Sequence, residues 1–499
     1  MSDAEIFAEL LLLLSLSGLA AIASHGLSAK LRLPAPALFL GAAAVAVWTI
    51  PGLHTLSQHA VERIVTVALL FILFSGGLSI GQSRFRAASG SIVVVGVLGT
   101  FLTTIAVGAL AHWAFGMSWY VSLLLGVAIA PTDPAVVFSV LGQREIAGRS
   151  STILEGESGA NDPVGIAMMV SLLAAGSLST SAAVQAAGSF ALEMGVGAIF
   201  GIFAGRSLIW VMRRVTLASE GLYPLRTLTF VLATFGATTL AHGSGFLAVF
   251  IVGIMLGDEK TPFKREVERF HAALASLGEI VAFVALGLTV SIGSLTQKDV
   301  WIPGLLIGAA LAFIIRPIFV GLCLWPVKLN RTERIFVLFS GLKGAVPILL
   351  GSMLLGAAIP DPHRIYGIVV VVVAFSVVVQ GGLIPTVAKK LRLPMRVLEP
   401  KPWSIGVRVT QEPEEMVRLT VLLGSWADGR SISELTELAS SLDDYHNFLV
   451  HMLVRQGSLM SINHETGLMH GDVLLVKAEG PFRSRLQSLV EEQELSPGA

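Results

Sequence analysis

Long apolar runs separated by short polar loops recur from residue 6 to residue 388, and beyond Leu393 the chain changes to short alternating segments. A bilayer-crossing helix needs about 20 mostly apolar residues. By that measure about thirteen segments qualify: 6–24, 35–50, 63–81, 90–111, 119–141, 156–176, 188–211, 222–241, 244–257, 272–293, 302–325, 333–356 and 365–388. The second and ninth are short, and the join between the eighth and ninth at His242 to Gly245 is tight. Asp3, Glu5 and Glu9 flank the first run and no Lys or Arg does, the reverse of a secretory leader's basic start, so it reads as a span.

The loops test this partition, because Lys and Arg concentrate on the cytoplasmic side. One alternate set of loops holds nineteen of them, from Lys30 and Arg32 to Lys390 and Arg396, and the other set holds only Arg63, Lys298 and Arg364. A missing span in mid-chain would swap every later loop and destroy that asymmetry. The N-terminus is therefore expected outside and the C-terminus in the cytoplasm. Composition agrees, with 54% hydrophobic and 14% charged side chains over 499 residues. Zero formal net charge argues against a nucleic-acid partner, and the single Cys323 reads as a small buried hydrophobe, with no disulfide framework and no metal-ligand cluster.

Polar chemistry inside the apolar part is sparse and grouped. Glu155-Gly156-Glu157-Ser158-Gly159-Ala160-Asn161-Asp162-Pro163 opens an uncharged run from Val164 to Leu173. A carboxylate near the bilayer centre costs roughly 2.5–3.5 kcal/mol on insertion scales, so Asp162 is expected to pair, face water or act. On a helix, Glu157 and Asn161 share one face and Ser158 and Asp162 the adjacent one. Two further charges lie at depth, Arg316 in Phe313-Ile314-Ile315-Arg316-Pro317 and Lys343 in Gly341-Leu342-Lys343-Gly344-Ala345-Val346-Pro347, and both are candidate partners for the carboxylates. Arg226, near the start of the eighth span, is placed to snorkel.

Two spans are interrupted. Ala130-Pro131-Thr132-Asp133-Pro134 breaks the fifth, because each proline removes a backbone donor and clashes with the preceding turn. Gly341 to Pro347 breaks the twelfth, seven spans later and running in the opposite direction. Broken helices at corresponding positions are the pattern of an inverted-repeat transporter, with spans one to six and eight to thirteen as halves and the seventh as linker. Asp133 also has a structural reading, as the cap of the restarted helix.

These three motifs, in this order and spacing over residues 6–390, resemble the bacterial cation/proton antiporters of the NhaP kind, related to the animal sodium/proton exchangers. The resemblance implies that Asp162 alternately holds a proton or a monovalent cation, K⁺ or Na⁺, beside Asn161. Thr132, Asp133 and Ser158 would supply further oxygens or orient the site. Asn before this Asp accompanies electroneutral exchange in the family. It also implies a structural ion pair between Glu157 and Arg316, and an arginine where this chain has Lys343, which makes that lysine a possible modulator. Physical chemistry reaches the same mechanism independently: competition of proton and cation for one carboxylate suffices for coupling, and hard oxygen ligands favour alkali ions over soft metals. No cofactor is implied.

After Pro400, Pro402 and Pro413 a small α+β domain is expected near 414–490, with a capping box at Ser431 to Glu434 and strands at Phe448 to Val454, Leu459 to Asn463 and Asp472 to Ala478. Gly429 to Leu435 followed by Gly471 to Val476 resembles the C-terminal subdomain of potassium-conductance regulators, called TrkA-C. That resemblance implies dimerisation and a small regulatory ligand. The expected organisation is a transmembrane antiporter domain over 1–395, a linker over 396–413 and the cytoplasmic domain, in an all-α polytopic homodimer of the cell membrane serving pH homeostasis. An intramembrane aspartyl protease using Asp133 and Asp162, or a transporter-like sensor, are the competing readings.

Overall fold

The computed structural model describes residues 34–49, 57–141, 144–146, 149–327, 329–393, 395–397, 416–442, 449–455, 458–463, 465–477, 486 and 489–490. The first expected span, Lys30, Arg32 and most of the expected linker lie outside them.

Two compact units divide the chain, Met1–Lys401 and Pro402–Ala499. In the first, helices follow one another as α1 (Ala35–Thr49), α2 (Gln58–Val93), α3 (Gly99–Phe115), α4 (Trp119–Ile129), α5 (Pro134–Leu141), α6 (Arg149–Ala175), α7 (Thr180–Arg214), α8 (Leu222–Leu240), α9 (Gly245–Gly257) and α10 (Lys264–Gly287). They continue as α11 (Ile292–Leu295), α12 (Lys298–Ala310), α13 (Arg316–Leu324), α14 (Arg331–Phe339), α15 (Ala345–Met353), α16 (Pro362–Phe375) and α17 (Gly382–Lys390). Every expected segment from 35–50 onward falls on helix. Among the described residues, five helical stretches are long and apolar enough to cross a membrane unaided, and a sixth if the bent pair α4 and α5 is one span.

The helical stretch Gln58–Phe115 is 58 residues long, which at 1.5 Å per residue is nearly three bilayer cores. It is divided at Gly81, whose φ of 68° and ψ of 166° leave the helix. Asp258, just past α9, holds this corner by accepting from the Ser83 N–H at 2.5 Å and the Ser83 hydroxyl at 2.6 Å. The corner needs a glycine twice over, for its positive φ and because a Cβ there would strike the Asp258 carboxylate.

Among the described residues, three π-helical turns interrupt the apolar helices: Val94–Leu98 joins α2 to α3, Leu311–Ile315 joins α12 to α13, and Ser376–Gly381 joins α16 to α17. Such turns re-aim side chains within an otherwise continuous helix. A large apolar core runs through this unit, from Ala35 on α1 to Leu393 after α17, beside a small separate cluster of Ile80, Phe250 and Ile254. A short antiparallel pair, β1 (Arg144–Ile146) with β2 (Met395–Val397), ties the loop after α5 to the end of the unit, with Glu145 opposite Arg396 in register. The expected linker start at 396 therefore falls inside a paired strand.

The second unit carries β3 (Met416–Thr420), α18 (Ile432–Leu442), β4 (Leu449–Arg455), β5 (Ser458–Met460) and β6 (Val473–Lys477), in an antiparallel sheet of order β3-β6-β4-β5. Its own core includes Val417, Leu419, Leu435, Leu453, Leu474 and Val476. Strand β3 is an addition to the sequence reading; its period-2 signal is Val417 and Leu419, both buried. Ser431 Oγ accepts from the Glu434 N–H at 3.2 Å while Glu434 accepts from the Ser431 N–H at 2.7 Å, a reciprocal cap for α18. Arg455 makes two hydrogen bonds to Asp472, at 2.9 and 2.7 Å. Burial alone would push the Asp472 carboxyl up, but the Arg455 guanidinium and the Met469 N–H outweigh it and hold the group below the usual carboxylate range.

Candidate functional site

The site grows out of backbone groups that prolines orphan. In an uninterrupted helix the Ala130 carbonyl would accept from the N–H of residue 134, which is Pro134 and has none. The Pro131 carbonyl would accept from Ala135, whose N–H instead caps onto Asp133 Oδ1 at 2.9 Å. Lys343 supplies the missing donors: its Nζ donates to the Ala130 carbonyl at 2.9 Å and the Pro131 carbonyl at 3.1 Å. Lys343, a candidate partner of the buried carboxylates, thus caps carbonyls while Glu157 and Asp162 lie within electrostatic range of it. The two breaks are also joined directly, since the Asp133 N–H donates to the Leu342 carbonyl at 2.8 Å.

The same accounting applies on the second broken span. After α14 ends, the Lys343 N–H donates to Ser376 Oγ at 3.1 Å rather than continuing the helix. The freed Phe339 carbonyl accepts from Gln380 Nε2 at 2.6 Å, and the Ser376 hydroxyl donates to Gln380 Oε1 at 3.2 Å. Ser376 and Gln380 sit on the π turn between α16 and α17, are both buried, and were not among the residues singled out by sequence. Glycines let the breaks approach: a Cβ on Gly344 would strike the Asp133 carboxylate, and one on Gly341 would strike the Arg316 guanidinium.

Helix α6 presents the polar stretch on two faces. On one, Arg316 leaves the π turn before α13 and donates to Glu157 through both terminal nitrogens, at 2.7 and 2.9 Å, with Nε donating to the Leu338 carbonyl at 3.0 Å. The Thr132 hydroxyl reaches Glu157 Oε1 at 3.4 Å, and Asn161 Nδ2 donates to Thr132 Oγ1 at 2.8 Å. Arg316, Glu157, Thr132 and Asn161 thus form one connected network. On the adjacent face Ser158 lies beside Asp162, and Asp133 and Lys343 lie within electrostatic range of the same carboxylate. Asp162 is 7% exposed, and Glu157, Asn161 and Lys343 are 2% exposed. Pro163, inside α6, removes the donor that would have satisfied the Gly159 carbonyl one turn earlier.

The arrangement divides the charges by task. Arg316 is spent on Glu157 and Lys343 on the carbonyls of the broken helix. Asp162 is left among the described residues with a hydroxyl and no ion pair, so its negative charge is free to attract a mobile cation. Away from this centre, Arg226 donates to the Val215 carbonyl at 2.8 Å and lies 4.9 Å from the centre of the Tyr223 ring. Among the described residues no group of His, Cys, Asp and Glu has metal-site geometry.

The sequence matches the family described as sodium/hydrogen exchanger, transmembrane, over residues 14–390. It is 35% identical over 330 residues to the K(+)/H(+) antiporter NhaP of Alkalimonas amylolytica, a match covering 66% of this chain and 57% of that protein's length. The K(+)/H(+) antiporter NhaP2 of Shewanella oneidensis is 29% identical over 477 residues, covering 93% of this chain and 80% of its own. The Na(+)/H(+) antiporter NhaH of Halobacillus aidingensis is 28% identical over 358 residues, covering 68% of this chain and 86% of its own. Among solved structures, the sodium proton antiporter MjNhaP1 of Methanocaldococcus jannaschii superposes with a TM-score of 0.65 at 22% identity, over 77% of this chain and 99% of that one.

Proposed function

Because this chain belongs to the sodium/hydrogen exchanger family, and is therefore a secondary transporter of the cation/proton antiporter type and not an enzyme, we propose that it exchanges K⁺ for protons by competition of the two ions for Asp162. The observation that carries the reading is the distribution of charge at the crossing: both buried cations are committed to fixed partners, and Asp162 is not. A proton on Asp162 removes the charge a cation needs; a bound cation, with Ser158, Asp133 and Thr132 as further oxygens, excludes the proton. Asn161 holds Thr132 in place, and as a neutral neighbour it keeps the exchange electroneutral. An unliganded Asp162 carries a bare charge that is costly to move through the membrane, which prevents a leak.

K⁺ is favoured over Na⁺ by the relatives of higher identity, since the K(+)/H(+) antiporter NhaP is 35% identical and the Na(+)/H(+) antiporter NhaH 28%. A relative that matches through the second unit is named a K⁺/H⁺ antiporter, whereas the Na⁺/H⁺ antiporter NhaH matches 68% of this chain. Thirteen spans, an outside N-terminus and a cytoplasmic C-terminus follow from the basic loops. The inverted repeat gains support from the placement of π turns at Val94–Leu98 and Leu311–Ile315, at corresponding fourth and eleventh spans. In this reading two copies of the chain assemble as a homodimer in the cell membrane and serve pH homeostasis, each carrying a TrkA-C-like domain over 414–490 that senses a small regulatory ligand.

The test is proton flux in everted membrane vesicles on addition of K⁺ or Na⁺, with wild type beside Asp162→Asn. Wild type should respond to K⁺ more strongly than to Na⁺, and the variant to neither while remaining folded in the membrane. Full residual exchange by Asp162→Asn contradicts the assignment.

A further inference from the structure

Helix α10 carries a carboxylate that the exchange mechanism above leaves unused. Glu279 is the sixteenth residue of the 24-residue α10, inside an apolar stretch that runs on through Ile280 to Gly287. A carboxylate at such depth is expected to have a counter-charge. Among the described residues Glu279 has no ion pair and no hydrogen bond. The two buried cations are committed elsewhere, Arg316 to Glu157 and Lys343 to the Ala130 and Pro131 carbonyls.

What Glu279 does have is a second carboxylate close enough to repel it, that of Asp133. Packing explains the juxtaposition. Helix α10 lies against α2, where Gly278 brings the backbone onto the Ala68 carbonyl, and against α15. Residue Gly344, at the start of α15, is in turn seated on the Asp133 carboxylate. The three acids are therefore electrostatically linked in series, Glu279 to Asp133 and Asp133 to Asp162. Glu279 and Asp133 are half-buried, and Asp162 is buried. Two like charges within electrostatic range of each other and without a counter-ion favour a cation or a proton near them.

Resting on the exchange reading, we infer that Glu279 is a positioning residue for the transported cation, receiving it from water and passing it, by way of Asp133, to Asp162. The role is capture, not exchange: Glu279 raises the local cation concentration at the mouth of the site and leaves the competition at Asp162 unchanged. Its removal should therefore weaken apparent cation affinity and spare the maximal rate.

The experiment is K⁺-dependent proton flux in proteoliposomes of the full chain, for wild type, Glu279→Gln, Glu279→Ala and Glu279→Asp, with thermal midpoints of each purified variant. The expected result for Glu279→Gln and Glu279→Ala is an apparent KM for K⁺ raised about fivefold or more with the maximal rate within about twofold of wild type. Glu279→Asp should keep KM within about twofold, and the neutral variants should melt no lower than wild type, because an unpaired charge contributes nothing to stability. An unchanged KM, a loss confined to maximal rate, or failure of both neutral variants to fold overturns the inference. A wild-type protein without K⁺ or Na⁺ response would instead overturn the exchange reading itself, so the two failures are distinguishable.

Discussion

Glu157 and Arg316 form a bidentate pair with both partners almost fully buried, and the sign of its contribution depends on how it is broken. Removing one partner strands the other's charge, a loss of about 3–5 kcal/mol, whereas replacing both can be nearly neutral. Glu157→Gln should therefore lower the thermal midpoint in detergent, and Glu157→Gln with Arg316→Met should recover much of the loss; a double variant no better than the singles would refute the coupling. Lys343→Met leaves the Ala130 and Pro131 carbonyls without donors, at about 1–3 kcal/mol each, so its thermal midpoint should also fall, while Lys343→Met with Glu157→Gln should show no mutual rescue. The charges of this site are legible in the sequence because each interrupts an apolar run. The partners of Lys343 are legible only by asking which carbonyls Pro131 and Pro134 orphan, since a buried lysine otherwise suggests a carboxylate. Gln380 and Ser376 carry no charge to mark them, and Glu279 is masked by the polar start of its own helix.

At the scale of elements, two breaks cross because glycines allow it. Gly344→Ala places a methyl against the Asp133 carboxylate, whereas Gly356, three residues past α15, has open space around its Cβ position. Gly344→Ala should abolish most proton flux in vesicles and Gly356→Ala should leave it near wild type; equal rates would mean that the crossing tolerates displacement. Helix positions follow closely from apolar run length, since burying backbone groups in an apolar medium leaves the helix as the main solution. The π turns are not legible, because a one-residue bulge does not alter hydropathy. Strand β3 is short, and two buried alternating residues, Val417 and Leu419, are too weak a signal to separate it from the adjoining loop.

For the whole molecule, the chain divides into two units, each with its own core, with exchange proposed for the first and regulation for the second. Truncation after Lys401 should leave K⁺-dependent proton flux measurable in vesicles while changing its response to cytoplasmic conditions; complete loss of flux from a folded truncation would show that the second unit belongs to the transport machinery. Within that unit, the Asp472 carboxyl is held low by Arg455, so the pair stabilises the fold above the ordinary Asp value of about 4 and is lost as pH falls through the lower folded value. Asp472→Asn should reduce the stability of this unit at neutral pH and flatten that acid dependence, as read by hydrogen exchange on β4 and β6. The central claim is that proton and cation compete for Asp162. Its most direct test is the apparent KM for K⁺ of the reconstituted protein as a function of pH. Competition predicts that KM rises toward a limit of roughly tenfold per pH unit on the acid side while the maximal rate at saturating K⁺ stays constant. A KM independent of pH, with a maximal rate that falls on acidification, would contradict it.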